Sequence, residues 1–131
     1  MGANPNQTVK AFVEAESYPG PSLIIAYSHC IAHGINMTNG YQEQQKAVNC
    51  GHWPLYRFDP RLKEQDKNPL QMDSKPPSID LEEYIYGENR FRSLQKAKPE
   101  AAAKLLAYAK REVADRSRLM QQLADLQCDQ K

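Results

Sequence analysis

Apolar positions come in short, dense runs in the first half of this chain and at helical spacing in the second. Leu23 to Tyr27 is an apolar run bounded by Pro19-Gly20-Pro21 before it and by Cys30, His33 and Gly34 after it. That is the pattern of a buried strand delivering a reactive side chain just past its carboxyl end. Trp53 to Asp59 alternates aromatic and aliphatic groups and predicts a second strand, starting at Pro54, where a missing N–H is tolerated. Upstream, Asn4-Pro5-Asn6-Gln7 opens a helix: Asn4 caps, Pro5 takes the first helical position and Gln7 follows three residues after the cap. Val9, Phe12 and Val13 share one face of it, and Tyr18-Pro19-Gly20-Pro21 ends it near Ser17. A further helix runs from an Asn39 cap to about Asn49, and Gly51 suits the left-handed position past its end.

Strand, helix and strand in that order imply a right-handed crossover and parallel pairing of Ser22–Tyr27 with the Trp53 segment. Arg61 to Asn68 is turn-like and Leu70 to Asp73 alternates, so a hairpin forms an antiparallel edge. Lys75-Pro76-Pro77-Ser78 is a linker. Asp80 with Glu83 is a capping-box pattern, opening a helix that Gly87 interrupts before Glu88–Lys98. Pro99 starts the longest helix, to roughly Gln127, with Leu105, Leu106, Ala109, Val113, Met120, Leu123 and Leu126 along one stripe. The stripe is a docking face onto the sheet or a neighbouring domain. The expected class is α/β: a short, mainly parallel sheet with an antiparallel edge hairpin, followed by a helical C-terminal tail. Residues 1–75 form the α/β part and residues 76–131 a helical extension packing on it.

Charge removes some functions. Lys and Arg number 17 against 16 Asp and Glu, so no field attracts nucleic acid or an anionic membrane. No apolar run approaches the ~18 residues that span a bilayer. Three cysteines, an odd number without a framework, argue against a disulfide-stapled secreted protein and for a reduced, cytoplasmic one. The chain is also polar from Asp59 onward, leaving few strands to build a core, which points to a piece of something larger.

Cys30 admits three readings. It is a buried small hydrophobe, the commonest fate of a free cysteine. It is a nucleophile with His33 as base, although no acidic residue nearby orients the imidazole. Or it is a metal ligand: Cys30, His33, Cys50 and His52 are enough for tetrahedral zinc, but their spacing matches no common finger or ribbon. An iron–sulfur cluster needs four thiolates and the chain has three cysteines, so cluster ligands would have to come from elsewhere. His29 and His52 read as surface residues, and Cys128 as exposed and incidental near a terminus. Trp53 to Arg57 reads as packing and Asp73-Ser74-Lys75 as a turn. Neither a glycine-rich phosphate loop nor a Gly-Asp-Gly metal–pyrophosphate motif occurs.

Several segments, in order, carry a resemblance. They are Met1-Gly-Ala-Asn4, Gly20-Pro-Ser-Leu-Ile-Ile-Ala-Tyr27, Cys30-Ile-Ala-His33-Gly34-Ile35, Trp53-Pro-Leu-Tyr-Arg57 and Lys67-Asn-Pro-Leu-Gln-Met-Asp73-Ser-Lys75. With Glu88-Asn-Arg90-Phe91 and Pro99-Glu100-Ala101, they closely resemble the C-terminal part of the pyruvate:ferredoxin (flavodoxin) oxidoreductases over nearly the whole chain. The resemblance implies the distal portion of a thiamine-diphosphate-binding α/β domain in a large cytoplasmic homodimer. Such an enzyme decarboxylates pyruvate on thiamine diphosphate with Mg2+, passes electrons through 4Fe–4S clusters to ferredoxin or flavodoxin, and releases acetyl-CoA.

By that match Cys30 is an iron–sulfur ligand whose companions lie in the remainder of the polypeptide. His29 departs from the small residue or proline usual before the cysteine. An imidazole there would hydrogen-bond a sulfur or point to solvent. The chain then reads as a fragment, inactive and without cofactor on its own, with unpaired strand edges. Two alternatives stand beside it: a cofactor-free accessory module derived from that enzyme, and a small zinc-binding protein.

Overall fold

A computed structural model describes residues 2–126. Five helices and one small sheet follow in the order α1 (Pro5–Ser17), α2 (Gly40–Asn49), β1 (Tyr56–Phe58), β2 (Leu70–Met72), α3 (Leu81–Ile85), α4 (Asn89–Ala97) and α5 (Pro99–Asp125). Short 3-10 turns lie at Ile31–His33, Met37–Asn39 and Pro60–Gln65.

Local signals placed the helix boundaries well. The Asn4 side chain accepts from the Gln7 N–H and Pro5 leads α1, which stops at Ser17. Gly51 adopts φ 76° after α2, where a residue with a Cβ would be strained. The Asp80 carboxylate accepts from the Glu82 N–H to open α3. Gly87 separates α3 from α4 for a steric reason as well. A Cβ there would lie 2.9 Å from Glu43 Oε2 and 3.0 Å from the Tyr84 carbonyl, so its absence lets α2 approach this junction.

The sheet corrects the expected parallel core. It has two strands only, antiparallel, with Tyr56 opposite Met72, Arg57 opposite Gln71 and Phe58 opposite Leu70. The hairpin edge is therefore present, but among the described residues the crossover partner is not. Ser22–Tyr27 belongs to no strand or helix, and up to Tyr27 it lies exposed: Leu23 is 84% and Ile25 67% exposed. The physical reason is pairing. A strand needs a neighbour for its N–H and C=O groups, and among the described residues β1 gives its one pairing to β2.

The core forms elsewhere, where α2 meets the helices of the second half. Ala47 and Cys50 of the α2 end pack with Leu81, Tyr84 and Ile85 of α3 and Val113 of α5. Tyr27, Trp53, Phe91, Leu106 and Ala109 close around them. Only part of the α5 stripe is covered: Val113 is buried, whereas Leu105 and Leu123 remain exposed. The face of α1 carrying Val9, Phe12 and Val13 also lies open. No helix among the described residues is long and apolar enough to cross a membrane. Cys128 and the expected helix end at Gln127 lie outside the described residues.

Candidate functional site

Cys30 sits just past the extended segment, with φ −142° and ψ 149°, as a free and exposed thiol. One 3-10 turn follows it. The His33 N–H donates to the Cys30 carbonyl at 3.0 Å, the Gly34 N–H donates to the Ile31 carbonyl at 3.0 Å, and Gly34 takes φ 70°. Gly34 is needed twice, because a Cβ there would also lie 2.5 Å from the Asn89 Cβ. The start of α4 thus presses directly on the turn, and the Asn89 N–H donates to the Gly34 carbonyl at 3.4 Å.

Behind this loop lies a buried carboxylate. Glu88, at the α3–α4 junction, is only 1% exposed. Its Oε2 accepts from Arg90 Nε at 2.5 Å and its Oε1 from the Tyr84 hydroxyl at 3.1 Å. The Arg90 guanidinium also donates to the Tyr27 hydroxyl oxygen at 3.3 Å, and the Tyr27 and Tyr84 hydroxyls are 2.8 Å apart. Arginine only donates and a carboxylate only accepts, which settles the direction: Tyr27 donates to Tyr84, and Tyr84 donates to Glu88. Burial, with the Tyr27 hydroxyl and the Glu88 charge, pushes the Tyr84 phenol far above its ordinary value and keeps it a neutral donor. His33 Nδ1 lies 3.5 Å from Glu88 Oε1, within ion-pair reach but off hydrogen-bond geometry. The network therefore touches Tyr27 on one side of Cys30 and His33 on the other.

The histidines are not surface residues. The His52 ring lies 4.9 Å from that of Tyr84 and meets Tyr27 edge-on at 5.8 Å. Burial, then the Arg116 charge, lowers its pKa. Half-buried His29 turns inward onto Gly40, where a Cβ would meet its ring at 2.4 Å from Nε2. Its Nδ1 is buried without a hydrogen-bond partner among the described residues. The zinc set does not assemble, since no group of three or more His, Cys, Asp or Glu is placed to hold a metal among the described residues. Cys50 is 2% exposed, its thiol bonded to the Ala47 carbonyl, and burial pushes its pKa up. Cys30 instead stands at the surface.

A second network ties α1 to the hairpin. Arg57 donates to both Asp73 carboxylate oxygens, at 2.7 and 2.9 Å, to Gln71, and to the Glu14 carboxylate of α1. Gln7 of α1 donates to Asp73 at 3.0 Å. Burial alone would raise Asp73, but hydrogen bonds from Arg57 and Gln7 outweigh it and hold the carboxyl below its usual range. Asp73 is thus more than a turn residue. Its pairing was readable from the hairpin register, which puts it diagonally across from Arg57. Beside this network, a groove of about 600 Å3 runs between α1, the 21–27 segment and Trp53–Asp59.

Glu88, Tyr84 and Arg90 had no predicted role. The one signal was the short acidic–basic spacing Glu88-Asn-Arg90 at a helix start.

No family model matches the chain. Individual relatives do. A pyruvate-flavodoxin oxidoreductase of Nostoc is 55% identical over 124 residues, 95% of this chain. A pyruvate:ferredoxin oxidoreductase of Moorella thermoacetica is 47% identical over 125 residues, again 95% of the chain. A mitochondrial pyruvate dehydrogenase (NADP+) of Euglena gracilis is 52% identical over 101 residues, 76% of the chain. The chain spans about a tenth of the length of the first two, 10% and 11%, and 6% of the third. By its sequence the chain matches one segment of enzymes named pyruvate-flavodoxin and pyruvate:ferredoxin oxidoreductases, and is similar to that segment over nearly its whole length.

Proposed function

We propose that residues 1–75 are the distal part of a thiamine-diphosphate-binding α/β domain and residues 76–131 a helical extension packed on it. The whole enzyme would convert pyruvate to acetyl-CoA and CO2, using Mg2+ and thiamine diphosphate, and deliver electrons to ferredoxin or flavodoxin. It would work in the cytoplasm as a homodimer. Cys30 is then one thiolate ligand of a 4Fe–4S cluster, with the other ligands supplied by the remainder of the polypeptide. Such a cluster, when bound, carries single electrons away from the site of decarboxylation.

The observation that carries this reading is the state of Cys30: a free, exposed thiol on a turn that Gly34 and Asn89 fix in shape. The donor set fits. One exposed thiol, with no group of three or more candidate ligands among the described residues, suits a site completed by other segments rather than a self-contained one. This chain's own part is to present Sγ at a fixed place and to close the loop behind it. Alone, with one ligand and no phosphate motif, the chain is inactive. Its open apolar residues, Leu23, Ile25, Phe12 and Val13, support the same reading. In the whole enzyme the 22–27 segment gains strand neighbours and that face is covered.

The test is Cys30→Ser in the intact polypeptide, purified without oxygen. One cluster's paramagnetic signal disappears, and pyruvate oxidation falls by more than about a hundredfold. Full cluster content with unchanged turnover overturns the reading.

A further inference from the structure

We propose that Glu88 is a positioning residue: through Tyr27 and His33 it clamps both flanks of Cys30 and sets the potential of the cluster that Cys30 ligates. The inference rests on the reading of Cys30 given above, and goes beyond it by assigning a role to a residue that contributes no ligand.

Three observations lead there. Glu88 is a charged side chain at 1% exposure, and buried charge is kept only where it is paired and hydrogen-bonded. Its partners are not spread over its own helix. They come from Tyr84 in α3, Arg90 in α4 and, through these, from Tyr27, three positions before Cys30. On the other side, His33, three positions after Cys30, places Nδ1 3.5 Å from the same carboxylate, while its N–H holds the Cys30 carbonyl. One carboxylate thus lies within ion-pair reach of His33 after Cys30 and is linked to Tyr27 before it through Tyr84 and Arg90. Asn89, the next residue, closes the turn against Gly34. Groups behind a ligand fix its orientation and tune the metal's electronics. Here the charge and the mechanical hold come from one side chain.

The direction follows from charge. Glu88→Gln keeps an acceptor for Tyr84 but removes a negative charge, leaving Arg90 without its counter-charge. An added electron is then better accommodated nearby, so the cluster becomes easier to reduce.

The intact enzyme carrying this segment is titrated anaerobically, and the cluster signal is followed by electron paramagnetic resonance. Glu88→Gln is expected to retain its iron and to shift reduction about tenfold toward the reduced form, about 59 mV for one electron. Tyr27→Phe removes one hydroxyl and no charge. It is expected to change the line shape with a smaller shift, and it carries the test if Glu88→Gln does not accumulate. Cys50→Ala, equally buried but outside the network, is the structural control, expected to lower thermal stability and leave the potential in place.

An unchanged potential and line shape in the first two variants overturns the proposal, as does an equal shift in Cys50→Ala. Cys30→Ser separates the two readings. A cluster that survives it sinks the assignment of Cys30, whereas a cluster lost with Cys30 but indifferent to Glu88 sinks only the clamp.

Discussion

The two sides of the Cys30 loop treat similar apolar side chains in opposite ways. Behind it, α2, α3 and α5 bury Leu81, Tyr84, Ile85 and Val113 in one cluster and enclose Glu88 with them. In front of it, α1 and the 22–27 segment display Val9, Phe12, Leu23 and Ile25 to solvent. Composition does not separate these regions, since both are rich in branched and aromatic residues. What differs is the supply of neighbours. The rear elements find each other within this chain. Among the described residues the front is tied down chiefly by polar contacts, the Arg57 network joining α1 to the hairpin and Arg61 donating to Ser17 at the end of α1. Tyr27 alone of the 22–27 segment reaches the core. Each large apolar side chain left open forgoes about 1.5–3 kcal/mol of burial. The front is therefore where an added neighbour has most to gain.

Substitutions test that contrast. Tyr84→Ala removes a 1%-exposed ring and leaves Glu88 and Tyr27 short of a partner. Denaturant unfolding should show a loss of about 3–5 kcal/mol, the largest in the chain. Arg57→Ala strands Asp73 and Glu14 and frees α1. A loss of about 2–3 kcal/mol is expected, with proteolysis of residues before Ser17 as the local readout. Equal losses at Tyr84 and Arg57 would contradict a strong rear and a weak front.

A smaller effect concerns pH. His52 has a lowered pKa when folded, so the unfolded chain binds more protons between that value and about 6.5. Stability must then fall as pH drops through that window, and His52→Phe should flatten the fall in a series of unfolding curves. A pH dependence that survives the replacement assigns it to another group. Smallest of all, Ile25→Ser should change the stability of the separate chain by less than about 0.5 kcal/mol. In the intact enzyme the same substitution should impair folding or cluster retention. A large effect in the separate chain would show that the front is already packed.

Much of the local structure was legible from residues, because its causes are local. Asn4 and Pro5 start α1, Asp80 opens α3, Gly51 ends α2 and Gly87 breaks the helix between Ile85 and Asn89. Hairpin pairing was legible for the same reason. What failed was the inference from an apolar run to a buried strand at Leu23–Tyr27, since burial depends on elements outside the run. The site was half legible. Cys30 stood out through its flanks. Glu88 did not, because a glutamate at a helix start looks like any solvated charge until Tyr27, Tyr84 and His33 are brought around it.

The aromatic stack beside the loop has an optical consequence. Trp53, the single tryptophan, lies 4.9 Å from the Tyr27 ring and nearly parallel to it, at 23°. Tyr27 in turn leads straight into the cysteine loop. The chain's emission is thus a built-in gauge of that loop. When the segment lifts, the indole loses its stacked cover and gains water, and its fluorescence shifts to the red. Seating of Tyr27 can be followed in real time without a label, a metal or turnover.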